Sequence, residues 1–228
     1  MTNGGKPGFD HFVLRYLFLW EGHEKNIHAL MSSGNPTTMA LTKAMHGFRI
    51  ARSFSGIGEE AAKRRVLGYI ERAGNDGRRS VSSLTAMFHG EFDRENLSAA
   101  SKLLWLRHQA PFLIYDANAV AALEELSTQR GGAAGGLSGD YGMFEDCWRA
   151  EFARSESAIT AATGRIVNLL PYFEHCHRAG SLQALGEKQW FRERVFDNYL
   201  WYVGGNVLAA RKQRRKQRKK RVQVGAGV

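Results

Sequence analysis

The stretch from Ser98 to Leu123 reads SAASKLLWLRHQAPFLIYDANAVAAL and contains two apolar helical patterns joined by a short turn. The first pattern carries one lysine, Lys102, and the second begins directly after Asp116. Pro111 ends the first helix, because a proline disfavours helical backbone at the residue before it. The segment 112–115 is apolar and favours an extended piece, too short to form a sheet alone. The stretch therefore predicts two helices joined by a turn, and its functional interpretation depends on whether Lys102 and Asp116 meet across that turn.

Helical patterns also dominate the chain on both sides of this hairpin. The run FVLRYLFLW from Phe12 to Trp20 is apolar nearly all round and predicts a buried helix. Asn35-Pro36 predicts a helix start, and Gly204-Gly205 predicts the end of the amphipathic helix KQWFRERVFDNYLWYV. Alternating strand patterns are nearly absent, so we predict an all-α, multi-helix domain. Its predicted organisation is a disordered N-terminus (1–8), a single domain (9–207) with a glycine-rich loop near 130–139, and a basic tail (208–228).

The positive charge of the chain is concentrated in its last part. The chain has 228 residues and a formal net charge of +10. Residues 211–221 read RKQRRKQRKKR and contain nine cations, which leaves about +1 for the remainder. Such a run attracts phosphates without reading sequence. Nucleic acid is the expected partner, DNA rather than RNA, although an RNA contact, an acidic protein or a solubilising role would also fit. The predicted contacts are Arg211, Lys212, Arg214, Arg215, Lys216, Arg218, Lys219, Lys220 and Arg221.

Cysteine usage and hydropathy indicate a cellular compartment, and the spacing of possible ligands argues against a metal site. Cys147 and Cys176 form neither a disulfide framework nor a CxxC pair, so a reducing cytoplasm is the expected setting. No run reaches the roughly 18 apolar residues of a membrane span, and a secretory signal is missing. The fragment His175-Cys176-His177 resembles part of a metal site, but alternate residues on a helix point apart and no second ligand pair follows. We therefore predict neither a metal nor a cofactor.

Lys102 and Asp116 are the candidate catalytic residues. A lysine at the edge of an apolar helix face can extend its stem over that face and point its amine into a cleft. There its neutral, nucleophilic form becomes more accessible. Asp116 precedes a helix, where its carboxylate can accept backbone hydrogen bonds as an N-cap. A solvated lysine and a simple cap are the structural alternative for the same two residues.

The order of Lys102, the helix LLWLRHQ, Pro111, the segment FLIY and Asp116 resembles the helix-hairpin-helix DNA glycosylases, in particular the 8-oxoguanine glycosylase branch. The resemblance implies that Lys102 attacks C1′ of a damaged nucleoside and forms a Schiff base. It also implies that Asp116 stabilises the positive charge that develops on the sugar. The target base would be extruded from the duplex, because its chemistry is blocked while it is stacked.

One feature of that family is missing from this chain. Before the lysine helix the family carries a glycine-rich turn that holds a DNA phosphate, whereas this chain has HGEFDRENLSAAS with the single glycine Gly90. The chain resembles a divergent bacterial member of the kind found beside phage-defence genes. The expected function is a DNA N-glycosylase, possibly with lyase activity, acting on a modified purine. The alternative is a non-catalytic nucleic-acid-binding module, or a nucleoside or nucleotide binder, on a degenerate glycosylase fold.

Three further residues near the hairpin are candidates for substrate binding. Trp105 shares a helix with Lys102 and could stack on an extruded base, although core packing explains it as well. His108 lies near the turn and could line a pocket or simply occupy a polar helix end. Asn118, two residues after Asp116, could hydrogen-bond a substrate or join the cap.

Overall fold

A computed structural model of the chain describes residues 7–51, 54, 56–132 and 135–225, with side chains described as far as residue 217. The described residues form helices, turns and irregular connections with no strand, which confirms the all-α prediction. Residues 1–6 of the predicted disordered N-terminus lie outside the described residues. The same holds for residues 133 and 134 of the predicted glycine-rich loop.

The elements follow one another with short connections. In chain order they are α1 (Phe9–Leu19), a π-helical turn (Trp20–Glu24), α2 (Lys25–Met31), α3 (Thr38–Gly47), α4 (Glu60–Ala73), α5 (Gly77–Phe92), α6 (Leu97–His108), α7 (Ala117–Gln129), α8 (Tyr141–Gly164), a 3₁₀ turn (Ile166–Leu169), α9 (Leu170–Phe173), α10 (Ala179–Gly186) and α11 (Gln189–Gly225). The predicted lysine helix is α6, and the helix behind Asp116 is α7.

The start of α3 lies further along the chain than Asn35-Pro36 predicts. Thr37 has extended backbone, and its hydroxyl oxygen accepts a hydrogen bond from the Ala40 N–H at 3.2 Å. A threonine in that position satisfies one of the amides that a helix start leaves without a partner. The N-cap is therefore Thr37, and Asn35-Pro36 belongs to the connection before it.

α11 is one continuous helix, and the prediction that it ends at Gly204-Gly205 is wrong. It runs through both glycines into the basic segment. A Cβ on Gly204 would lie 1.7 Å from the Asn118 carbonyl oxygen of α7, so this glycine serves as a close-approach point between two helices. The basic segment is thus the distal end of a core helix. Although α11 has 37 residues, no described helix is both long and apolar enough to span a membrane.

The core is built around α11, which packs most extensively on α7 and also contacts α1 and α8. These helices meet through large apolar side chains, and many of their rings contact one another edge to face. Fully buried members of this core include Phe12, Tyr16, Phe144, Trp148, Phe191 and Phe196. α6 contributes residues to the same core, and the end of the turn between α6 and α7 lies beside α11.

The turn between α6 and α7 is held in place by side-chain hydroxyls. The Leu113 N–H donates to the Tyr141 hydroxyl at 2.9 Å, and that hydroxyl donates to the Leu113 carbonyl at 3.0 Å. The Tyr115 N–H donates to the Ser101 hydroxyl at 3.0 Å. These bonds take the place of those that a neighbouring strand would make, so the apolar segment can be buried without a sheet. Asp116 is consequently delivered to a fixed position at the start of α7.

Candidate functional site

Lys102 and Asp116 meet across the α6–α7 turn. The Lys102 Nζ lies 3.2 Å from the Asp116 Oδ2, and the two side chains are 12% and 27% exposed. The pairing runs parallel to the one between Ser101 and Tyr115, since both join residues 14 positions apart. Two successive residues of α6 therefore hold two successive residues of the turn. The pair is sheltered yet retains access to solvent.

Both carboxylate oxygens of Asp116 have a partner. Oδ1 accepts a hydrogen bond from the Asn118 N–H at 2.9 Å and thereby caps α7, while Oδ2 faces Lys102. The carboxylate also lies at the N-terminal end of a 13-residue helix, where the helix dipole favours a negative charge. These contacts fix the orientation of the carboxylate toward the lysine amine.

A cleft of about 570 Å³ opens beside this pair. Its walls come from α1 and the π-helical turn on one side, the end of α3 on another, and the hairpin and α11 on the others. Lys102, Asp116 and Asn118 all contribute to its lining. The volume lies within the range of pockets that take small organic ligands, which is about 300–1,000 Å³.

The floor of the cleft holds a second, more deeply buried group of charges. Arg194 of α11 donates to Glu24 Oε1 at 2.9 Å and to Asp197 Oδ2 at 3.0 Å. Its guanidinium carbon also lies 4.9 Å from the Trp105 ring centroid and 5.2 Å from that of Tyr16. The cation is therefore paired with two carboxylates and enclosed by two aromatic rings. Arg194, Glu24 and Asp197 are termed the closed cluster below.

The carboxyl group of Asp197 titrates abnormally in the closed cluster. Burial raises its pKa to about 6, against the opposing influence of the Arg194 charge and of the hydrogen bond from the Trp148 Nε1–H. That indole nitrogen lies 2.8 Å from Asp197 Oδ1. Each oxygen of this carboxylate thus has one protein partner, as a buried charge requires.

The mouth of the cleft carries arginines and an exposed aromatic ring. Trp201 of α11 lines the cleft and is 47% exposed. The guanidinium carbon of Arg15 lies 4.9 Å from its ring centroid, so the two side chains stack. Arg49, after α3, lines the cleft as well. A flat apolar face and two cations therefore stand at the entrance to the Lys102–Asp116 pair.

Two of the three predicted substrate-binding residues do not line the cleft. Trp105 is only 2% exposed and packs in the core between Phe48, His28 and Arg194. His108 packs on Phe112, and burial lowers its pKa. Trp105 lies about one helical turn from Lys102, but its ring is covered by its core neighbours. Asn118 does line the cleft.

The predicted nucleic-acid contacts lie on the distal part of α11. Residues 211–217 are exposed, and their cations are Arg211, Lys212, Arg214, Arg215 and Lys216. Arg211 Nη1 also lies 3.3 Å from Glu124 Oε2 of α7. The other predicted contacts, Arg218, Lys219, Lys220 and Arg221, lie beyond the described side chains.

The closed cluster was missed in the sequence analysis, where core packing was preferred over base stacking for Trp201. Arg194 and Asp197 stand three residues apart on α11 among inward-facing apolar residues, and a charge in that position signals a buried ion pair. Glu24 lies 170 positions away, so no spacing rule could have linked it to Arg194.

No protein-family model matches the chain, and comparisons with curated proteins and with solved structures likewise find no match. The function must therefore be inferred from the cleft, its two groups of charges and the basic end of α11. Site geometry is the appropriate ground for such an inference, because one fold supports many chemistries.

Proposed function

We propose that this protein is a DNA N-glycosylase that excises a modified purine and can follow base removal with a lyase step. The observation that carries the proposal is the 3.2 Å approach of Lys102 to Asp116 at the wall of a cleft. An amine beside a carboxylate is the minimum equipment for nucleophilic attack on a sugar carbon with local proton transfer. The order of these residues along the chain, which resembles that of helix-hairpin-helix glycosylases, supports the same reaction.

In the proposed chemistry Lys102 is the nucleophile, and Asp116 transfers protons and stabilises positive charge. Asp116 accepts a proton from the Lys102 ammonium, and the neutral amine attacks C1′ as the bond from C1′ to the purine nitrogen breaks. The purine leaves with the bonding electron pair and takes up the proton that Asp116 received, which returns Asp116 to its carboxylate form. The Asp116 carboxylate stabilises the positive charge that develops on the sugar, since it is fixed by its cap to α7. The attached nitrogen, now a secondary ammonium, gives one proton to Asp116. Its lone pair then forms the Schiff base as the C1′–O4′ bond breaks, and O4′ leaves with the bonding pair and takes up that proton, so the ring opens. β-Elimination can proceed from this Schiff base on Lys102.

The cleft supports an extruded base as the substrate. Its volume of about 570 Å³ suits a nucleoside. Trp201 presents a partly exposed ring at the mouth, and base–aromatic stacking contributes about 1–3 kcal/mol per base. We therefore assign the stacking role to Trp201 in place of Trp105. Arg15 and Arg49, at the same entrance, offer charge to the flanking phosphates.

The basic end of α11 supports a nucleic-acid partner by a separate argument. Its described cations are exposed, and the helix projects from the core as a continuation of the element that forms the cleft floor. Each phosphate that such a segment neutralises makes log K fall with log salt by about 0.9. We expect this segment to hold the phosphate backbone, while the cleft engages one nucleotide.

Borohydride trapping on modified duplexes tests the catalytic proposal. The full-length protein is incubated with duplexes containing 8-oxoguanine, uracil, alkylated bases or an abasic site, and any Schiff base is reduced to a stable adduct. We expect an adduct at Lys102 with at least one duplex, and its loss in Lys102→Met. Lys43→Met is the matched control, because Lys43 is an exposed lysine of α3 away from the cleft. No adduct and no abasic product on any substrate would remove the proposal.

A second function is favoured by one specific observation. Both Asp116 oxygens are already satisfied by a cap and by Lys102, so the pair can be explained as a clasp that closes the α6–α7 hairpin. In that case the protein is a non-catalytic nucleic-acid-binding module, and the basic end of α11 is its interface. Binding then survives Lys102→Met unchanged.

Base excision by a variant whose described cations are neutralised separates the two candidate functions. The five residues Arg211, Lys212, Arg214, Arg215 and Lys216 are replaced by glutamine in the full chain. We expect weaker duplex binding and a shallower salt dependence in either case. A glycosylase retains slow base excision at saturating DNA, whereas a binding module shows no product with or without the substitutions.

A further inference from the structure

A group of three side chains lies outside the cleft lining and unites residues that are far apart in sequence. Glu21 belongs to the π-helical turn after α1, while Cys176 and His177 follow α9. Their ligand atoms, a carboxylate oxygen, the Sγ and an imidazole nitrogen, all lie within 4.8 Å of one another. The His177 Nε2 lies 2.8 Å from Glu21 Oε1. One oxygen, one sulfur and one nitrogen therefore converge on a single point.

We propose that Glu21, Cys176 and His177 bind a borderline divalent cation such as Zn²⁺. Thiolate and imidazole ligands select zinc-like metals, whereas calcium and magnesium prefer oxygen-only sites. Zinc takes sulfur at about 2.3 Å and nitrogen or oxygen at about 2.0–2.2 Å, so these side chains must adjust by about an ångström to bond one ion. Cys176 is exposed, which leaves a fourth position for water.

The hydrogen bonds of His177 already orient its imidazole for a metal. Its Nδ1 lies 3.2 Å from the Ser181 hydroxyl. That hydroxyl lies 2.8 Å from the Arg178 carbonyl, to which it can donate its proton. When it does so, Nδ1 must be the donor to Ser181, and the Nε2 lone pair then points at Glu21. A carboxylate oxygen and an imidazole lone pair 2.8 Å apart require a proton between them, and a metal ion would replace that proton once the two atoms move slightly apart. A hydrogen bond to the second ring nitrogen is also the usual support of a metal-bound histidine.

The charges of the three residues match a divalent ion. Binding releases the Cys176 thiol proton to solvent, so the thiolate and the Glu21 carboxylate together offset two positive charges. Lys25 lies 3.0 Å from Glu21 Oε2 and competes for the same carboxylate. It also lies 3.4 Å from Oε1, so a metal must displace this longer contact, and the lysine charge weakens the site.

The position of the group suggests a structural consequence. Glu21 and Glu24 belong to the same π-helical turn, and Glu24 is part of the closed cluster. A metal on Glu21 would clamp this turn to the segment between α9 and α10. π-helical turns are often retained at functional sites, in agreement with such a role.

Titration of the full-length protein with Co²⁺ alone tests the proposal. We expect about one equivalent to bind with a thiolate-to-cobalt charge-transfer band, and Zn²⁺ to abolish that band by displacement. Cys176→Ser should lose the band, and His177→Ala should weaken binding at least tenfold. Ser181→Ala should weaken it about tenfold by freeing the imidazole. Lys25→Met should tighten it, because a repelling charge is removed.

Two matched variants complete the design. Cys147→Ser replaces the other free cysteine, a partly buried residue of α8, and His175→Ala replaces the neighbouring exposed histidine. Both should bind Co²⁺ like the unaltered protein. The proposal is overturned if the unaltered protein shows no charge-transfer band, or if the band survives in Cys176→Ser. The site shares no residue with the proposed reaction of Lys102, so either outcome leaves the glycosylase proposal unchanged.

Discussion

Two groups of charges line the same cleft and differ in how completely they are closed. In the Lys102–Asp116 pair the side chains are 12% and 27% exposed, and the lysine has one carboxylate partner. In the closed cluster Arg194 and Glu24 are 9% and 6% exposed, and the guanidinium serves two carboxylates. Buried charges are tolerated when each has an oppositely charged partner, whereas a sheltered pair with access to water can exchange its protein partner for water or a ligand. The open pair is thus suited to chemistry and the closed cluster to support.

Replacing the central cation of each group should give the largest contrast. Arg194→Met leaves Glu24 and Asp197 as buried charges without a cation, and removing one partner of a buried ion pair costs about 3–5 kcal/mol. Lys102→Met leaves Asp116 with its cap and with solvent, so a loss of about 0–1 kcal/mol is expected. Urea unfolding monitored by circular dichroism gives both values. Arg194→Lys keeps the positive charge but lacks the planar guanidinium that donates to both carboxylates. It should therefore recover only part of the lost free energy of unfolding.

Equal losses for Arg194→Met and Lys102→Met would contradict the distinction between a supporting and a reactive group. If Arg194→Met does not fold, Arg194→Lys takes its place in the comparison with Lys102→Met. In that case the free energy of unfolding of Arg194→Lys should still lie below that of Lys102→Met.

The contact between α11 and α7 links the two groups and can be tested with adjacent glycines. An alanine at Gly204 would meet the Asn118 carbonyl oxygen, so the N-terminal turn of α7, which Asp116 caps, must shift. We expect Gly204→Ala to destabilise the protein by about 1–3 kcal/mol. At Gly205 no atom lies within 4 Å of the added Cβ, and Gly205→Ala should stabilise the helix by up to about 1 kcal/mol.

Opposite signs in these two neighbouring variants, measured by urea unfolding, would place the close approach at Gly204. Destabilisation by Gly205→Ala as large as that of Gly204→Ala would show that the helix merely tolerates no change there. A Gly204→Ala protein should also give less borohydride adduct if Asp116 assists Lys102.

The closed cluster should impose a pH dependence on the free energy of unfolding. Burial raises the pKa of the Asp197 carboxyl group from its ordinary value of 3.8 in the unfolded chain to about 6 in the folded protein. Between these values the folded protein binds more protons, so the stabilisation is complete below about pH 4 and is lost as the pH rises through 6. The difference in stability between the unaltered protein and Asp197→Asn should fall by on the order of 1–3 kcal/mol over that range.

Urea unfolding at half-unit pH steps measures this difference. Asp10→Asn should show the opposite pH dependence of stability, because the hydrogen bond from Arg165 lowers the pKa of Asp10. Its contribution should be present above about pH 4 and be lost as the pH falls. A constant difference between the unaltered protein and Asp197→Asn from pH 4 to 6 would show that Asp197 is not buried as a titrating group.

The sequence alone was sufficient for the helical class of the fold, which follows from local rules: apolar residues recur at helical spacing, and a proline ends one helix. The pairing of Lys102 with Asp116 was expected only from the resemblance to the glycosylases, because a solvated lysine and a simple cap explain the same residues. The exposure of the cations in residues 211–217 could also be predicted from the sequence, because a dense run of charge cannot be buried.

Only the tertiary structure placed Trp105 in the core, Trp201 at the cleft, and Arg194 between Glu24 and Asp197. The continuation of α11 through Gly204 depended on the approach of α7, which local propensity does not report. The meeting of Glu21 with Cys176 and His177 has the same origin. Contacts between residues more than 150 positions apart arise from how helices pack, and the periodicity of a sequence specifies which face is buried but not which partner it meets.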